Sequence, residues 1–266
     1  MTASLVSRYA LRVGDDALIA AQRLAEWSAR APEMEEDIAL SNIALDQLGV
    51  ARSLLSYAGL LAGADDPTAA RDEDALAFGR DDHEFRNCLL VELPNAGPAA
   101  APGTPGDFAV TMAKLLFLAT YQHLLYERLS ASTDEQLAAI AGKARKESAY
   151  HRDHATQWTV RLGDGTPYSH DRMQAAVDDL WPYTHELFTD DPLTRGLAAD
   201  GVGPTPSALR EPWLATVDLV LSEATLVRPV DGWAPTGGRD GRHTEHLSYL
   251  LAEMQVLHRA HPGATW

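Results

Sequence analysis

Apolar residues recur at intervals of three and four over long windows of this chain, and the strict alternation of a half-buried strand is hard to find, so the pattern predicts an all-α protein. The first helix is expected to reach about Trp27, with Leu18, Ala21, Leu24, Ala25 and Trp27 on one side. Gly14-Asp15-Asp16 marks a point where it breaks and is capped again. Pro32 suits the first position of a second helix over about 33–62, whose acids Glu33, Glu35 and Glu36 complement its dipole and which Gly63 ends. A short helix over 73–78 leads into a stretch at 85–91, and the Pro, Gly and Ala-rich run 94–106 is an irregular connector. A third long helix over 107–129 turns Phe108, Met112, Leu115, Leu116, Ala119 and Tyr126 inward. A fourth, with Ser132 and Glu135 as a capping box, runs to about Leu162, where Gly163-Asp164-Gly165 stops it. Later helices are expected over about 170–188, kinked at Pro182, over 206–225, and over 244–259.

Two long helical pairs separated by one long connection give the chain order of a ferritin-like four-helix bundle. The expectation is therefore one ferritin-like domain, 1–266, with 94–106 as an internal connector and additional C-terminal helices. Charge narrows the possible partners. With 38 acidic and 22 basic residues the formal charge is -16, which repels phosphate backbones and anionic lipid surfaces, so neither nucleic acid nor membrane is an expected partner. The N-terminus meets Arg8, Arg12 and Asp15 too soon for a secretory core, and the most apolar stretch, 108–121, carries Lys114, so the protein reads as cytoplasmic. The single cysteine, Cys88, suits a small apolar site in a reducing compartment.

A di-iron centre in such a bundle needs two carboxylates and two Glu-x-x-His pairs, because a three-residue step puts both ligands on one helix face. The sequence holds fragments of that set. Glu147 falls on the stripe Leu137, Ile140, Ala144, Glu147, His151, Trp158, but Tyr150 stands where the histidine belongs and His151 comes one residue late. In the second helix Asp46 is followed three residues later by Gly49, which has no donor, and no histidine precedes His83. Asp46, Gly49, Lys114, Glu147, Tyr150 and His151 thus read as the positions of a vestigial site with no metal and no catalytic residue. Lys114 would compensate a buried Glu147 as a metal would, against the plainer reading of a solvated lysine. His243-Thr244-Glu245-His246 reads better as a helix start than as a metal cluster, and His151 with His154 as a solvated pair. The tryptophans read as core or interface anchors, with Trp266, at the last position, either packed on this chain or a partner or part of a frayed end.

Several strings carry a resemblance. Tyr9-Ala10-Leu11-Arg12-Val13-Gly14-Asp15, Leu45-Asp46-Gln47-Leu48-Gly49-Val50-Ala51-Arg52, Leu90-Val91-Glu92-Leu93-Pro94-Asn95, Lys146-Glu147-Ser148-Ala149-Tyr150-His151 and His243-Thr244-Glu245-His246-Leu247 are similar to the structural, or C, subunits of the ring-1,2-phenylacetyl-CoA epoxidases, in order and over essentially the whole chain. The run 96–105 looks like an insertion. The resemblance implies a ferritin-like subunit that has lost its iron ligands and pairs with a homologous catalytic A subunit. That subunit would hold the di-iron centre and most of the coenzyme A thioester site, with NADPH, O2, a reductase and accessory subunits serving the complex. The alternatives are an iron-dependent oxygenase or oxidase in its own right, using Asp46, Glu147, His151 and His154, and a binding module without an oxygenase partner.

Overall fold

The computed structural model describes residues 2–264, and Trp266 lies outside them. Among the described residues there are ten α-helices and five short 3₁₀ turns and no strand. The chain divides into two compact units, one made of Met1–Ser28, Ile38–Leu93 and Thr236–Trp266, the other of Ala29–Asp37 and Pro94–Pro235.

The first unit contains α1 (Thr2–Ala25), most of α2 (Met34–Asp65), the short α3 (Glu73–Phe78) and α4 (Leu89–Glu92), and α10 (Glu245–Ala260). Gly14 does not break α1. A Cβ there would stand 3.0 Å from Leu55 Cδ2, so the glycine lets α1 and α2 approach closely. Asp15 and Asp16 cap nothing; both are buried mid-helix and bind arginines from distant segments. Pro32 lies two residues before α2, which passes through Gly63 to Asp65. Gly59 is required by packing, since a Cβ would fall 1.8 Å from the Arg71 carbonyl oxygen. The expected stretch at 85–91 is helical only over Leu89–Glu92, because the backbone N–H groups of Arg86 and Cys88 donate to the α1 carboxylates (2.8 Å each) rather than to a helix.

The second unit contains α5 (Phe108–Leu129), α6 (Glu135–Gly163), α7 (Pro167–Thr184), α8 (Pro192–Ala199) and α9 (Arg210–Glu223). α5 packs against α6, α7 and α9 and is buried almost from end to end. It is long and apolar enough to cross a membrane, but it is the core helix of this unit. Asp107 caps it, and the run before it is a series of turns closed by Asp107 N–H donating to Asn95 O (2.8 Å). Asp134, not Ser132, caps α6 through Leu137 N–H, because Ser132 Oγ is committed to the Val202 carbonyl (2.6 Å). The buried stripe of α6 is Leu137, Ala141, Ala144, Ser148, His151, Ala155 and Thr159, while Ile140 and Trp158 lie at its edge, half-buried. α7 carries Pro182 near its end and gives way to a 3₁₀ turn at His185–Phe188. The short α8 was not legible, since eight residues hold too little periodicity; its Asp191 capping box makes it. Phe117, Trp181, Phe188 and Trp213 form the aromatic core, with ring centroids 5.1–5.7 Å apart and Trp213 Nε1 donating to Phe117 O (2.9 Å).

Candidate functional site

In the second unit α5 and α6 form an antiparallel hairpin joined by a five-residue loop, 130–134, and carry four of the six positions that the spacing singles out. Lys114 is only 5% exposed, so the solvated reading is excluded; its Nζ donates to Asn95 Oδ1 at 3.1 Å, and Asn95 is itself buried by the turns of the connector. Glu147, partly buried, stands 3.4 Å from the exposed Lys143 Nζ one turn earlier. His151 is buried, and the Tyr150 ring beside it, 6.4 Å away between centroids, is exposed. In the first unit Asp46 and Gly49 are half-exposed on α2.

The spacing reading missed two residues that meet across the second unit. Glu36, from the first turn of α2, and His154, from α6, stand 3.1 Å apart in ion-pair contact, off the direction of a good hydrogen bond. Glu36 looks from sequence like an acid serving the helix dipole and His154 like a solvated histidine; only tertiary contact pairs them. Glu147, His151 and His154 share one face of α6 at offsets of four and seven, so a carboxylate and two imidazoles do line up. The donor set does not fit two irons: Gly49 brings no donor, Tyr150 points into solvent, and no group of three or more His, Cys, Asp or Glu among the described residues is placed to hold a metal ion.

Burial holds the His154 imidazole below its ordinary range even though Glu36 pulls the other way, and burial with the nearby Arg152 does the same to His123. A histidine whose folded value is depressed binds its proton more readily in the unfolded chain. The stability it contributes is full above pH ~6.5 and is lost as the pH falls below that. The unfolding free energy from urea titrations is therefore expected to drop between pH 7.5 and 5.5, by at most about 1.4 kcal/mol per pH unit for each histidine. The double variant His123→Asn with His154→Asn should flatten that slope; an unchanged slope would refute the assignment.

The first unit holds a second polar centre. Glu92, fully buried, accepts His243 Nδ1 (2.7 Å), Thr244 N–H (2.6 Å) and Asn87 Nδ2 (2.9 Å), and its carbonyl oxygen accepts Arg23 Nε and Nη2 (2.9 and 2.7 Å). His243 Nε2 faces Phe85 O at 3.1 Å, so both ring nitrogens stand against oxygen. His243-Thr244-Glu245-His246 therefore begins α10 and ties it to α4; its histidines make no metal cluster. An open cleft of about 500 Å³ on this unit is bordered by Asp81, Asp82, Ser248 and Arg259. Its arginine is already held by Asp81 at 2.9 Å, which leaves an acidic rim poorly suited to an anionic thioester.

Comparison with known proteins adds a lineage. Residues 2–266 match the phenylacetic acid catabolic protein family. The C subunit of the 1,2-phenylacetyl-CoA epoxidase of Escherichia coli (strain K12) is 46% identical over 261 residues, which cover 98% of this chain and 99% of that protein.

Proposed function

The chain belongs to the phenylacetic acid catabolic protein family, whose members are ferritin-like, and from this premise we propose that it is the non-catalytic structural subunit of a phenylacetyl-CoA epoxidase. The observation that carries this reading is the similarity to the C subunit of such an epoxidase over 98% of this chain and 99% of that protein. In this reading residues 1–266 act as one ferritin-like subunit in the cytoplasm and hold a homologous catalytic A subunit in register. That subunit supplies the di-iron centre that activates O2, while a reductase brings electrons from NADPH and the ring of phenylacetyl-CoA is epoxidised.

The residues of this chain support the structural share. Where a bundle of this kind would carry ligands, a lysine amine is buried against an asparagine, a glycine and an exposed tyrosine stand at two histidine positions, and the carboxylate and imidazole of Glu36 and His154 are spent on each other. In the vestigial site that we propose, Lys114 balances the carboxylates left behind, Glu147 foremost, as the lost iron once did.

Iron content measured by plasma emission on the chain purified alone and co-expressed with its catalytic subunit tests the reading. The expected result is an iron-free lone chain, with iron appearing only in a co-purifying complex. About two irons on the lone chain would overturn it in favour of an oxygenase in its own right.

A further inference from the structure

We infer that Arg145 and Arg152 on one edge of α6, with His123 of α5 beside them, form a binding site for a phosphate group; this stands independently of the subunit reading above. Arg145, Ala149 and Arg152 lie at offsets of four and seven, one above the other on the helix. The two arginines start about 10.5 Å apart along the axis, and Ala149 sets only a methyl group between them. Glu147 and His154 each follow one of these arginines by two residues, so they face away from this edge.

Helix α5 supplies the third group. His123 is half-buried, and its Nδ1 stands 3.5 Å from Ser148 Oγ, which itself donates to the Arg145 carbonyl oxygen at 3.0 Å. Ser148 falls between the two arginines in the chain, so this contact sets the ring against their edge of α6. Among the described residues Nε2 has no partner, and it is not sealed from solvent.

The arginines are not spent on the protein. Elsewhere in this acidic chain arginines take carboxylate partners, as Arg23, Arg52, Arg172 and Arg210 do. Among the described residues neither Arg145 nor the half-buried Arg152 has a carboxylate at ion-pair distance. Both charges nevertheless reach the imidazole. Burial first, and then Arg152, hold His123 below its ordinary range; Arg145 adds to them, while the Arg145 carbonyl oxygen and Glu127 of α5 pull the other way.

This donor set selects phosphate. A guanidinium fork suits a carboxylate or a phosphate, but a tetrahedral dianion offers oxygens to two forks and an imidazole N–H together. The formal charge of -16 does not forbid it, because charges farther off than a Debye length of about 8 Å are largely screened and direct contacts are not. A bound anion favours the charged imidazole, so binding draws a proton onto His123.

The test is NMR titration of the full chain at pH 7 with orthophosphate and with adenosine 3′-monophosphate, following the His123 ring resonance, which is assigned by its loss in His123→Asn. Saturable shifts toward the protonated form are expected. Arg145→Gln and Arg152→Gln should each weaken binding about tenfold or more. Lys143→Gln, the same charge change on another face of α6, should leave it unchanged. Tighter binding of the nucleotide identifies a ribose phosphate as the occupant and equal binding identifies free phosphate, and either upholds the site. If sodium chloride at equal ionic strength moves the resonance as far, the effect is screening and the inference fails. It fails too if a short glutamate peptide binds there and phosphate does not, since the occupant is then an acidic protein segment. Should Arg152→Gln not fold, Arg145→Gln decides, because that side chain is exposed.

Discussion

Alanine at position 92 is expected to destabilise the protein by about 3–5 kcal/mol, among the largest losses available to one substitution in this chain. Glu92 is a short-range hub. Its two carboxylate oxygens take hydrogen bonds from the His243 ring, the Thr244 backbone and the Asn87 amide, and of these donors Asn87 is fully buried and Thr244 half-buried, so water replaces the lost acceptor poorly. Truncation would also leave the His243 ring without its carboxylate partner in a nearly sealed site, where the side chain of His243 is 3% exposed. The residues it joins come from two distant stretches, 87–92 and 243–244, so the loss should loosen the start of α10 first. Urea unfolding at pH 7 reads the global cost, and amide hydrogen exchange at residues 243–250 reads the local one. Glu92→Gln should fall between wild type and alanine, because it keeps the shape but turns an N–H2 group toward donors. A loss under about 1 kcal/mol for Glu92→Ala would show that the hub does not hold the unit together.

What could be read from the sequence follows from the range of the interactions concerned. α2, α5, α6 and α10 announce themselves through three and four spacing, and 94–106 through its proline and glycine, because each signal is complete within one segment. Asp107 and Asp134 cap their helices locally, yet Ser132 looks as good a cap as Asp134 until the Val202 carbonyl claims its hydroxyl. Gly14-Asp15-Asp16 misleads for the same reason: the small residue serves α2, and the carboxylates serve Arg80 and Arg239, 65 and 223 residues away. Of the candidate site, the lack of any side-chain donor at Gly49 and of a histidine at position 150 is plain from spacing alone. The Glu36 contact with His154 and the Asn95 contact with Lys114 are not, since no local pattern encodes which polar groups meet once helices pack. Lys114 could be read either as solvated or as buried, and burial was decided by how thoroughly α5 is surrounded.

The second large effect concerns the ion pair that the broken-helix reading concealed. Asp15 and Arg80 are almost wholly buried, and Asp15 accepts from both Nη atoms of Arg80 as well as from Arg86 N–H at 2.8 Å. Arg80 goes further: Nε donates to Leu76 O (2.5 Å), Nη1 to Glu84 O (3.2 Å), and the guanidinium lies 4.0 Å above the Phe85 ring centroid. Its own carbonyl oxygen receives Gln255 Nε2 and Arg259 Nη2 from α10, at 2.9 and 3.0 Å. One residue thus fastens segment 76–86 to α1 with its side chain and to α10 with its backbone. Asp15→Leu strands a buried cation and Arg80→Met strands a buried anion, so each single change is expected to cost about 3–5 kcal/mol. The double variant removes both charges together and replaces them with apolar bulk of similar size. It should therefore recover about 1–3 kcal/mol of the summed losses, a strong coupling in a double-mutant cycle measured by urea unfolding. Recovery will be incomplete because the Leu76 and Glu84 carbonyls and the Arg86 N–H lose their partners in either case. Two single losses that simply add would mean that Asp15 and Arg80 act through separate contacts, and the pair would then have no claim to organise this unit.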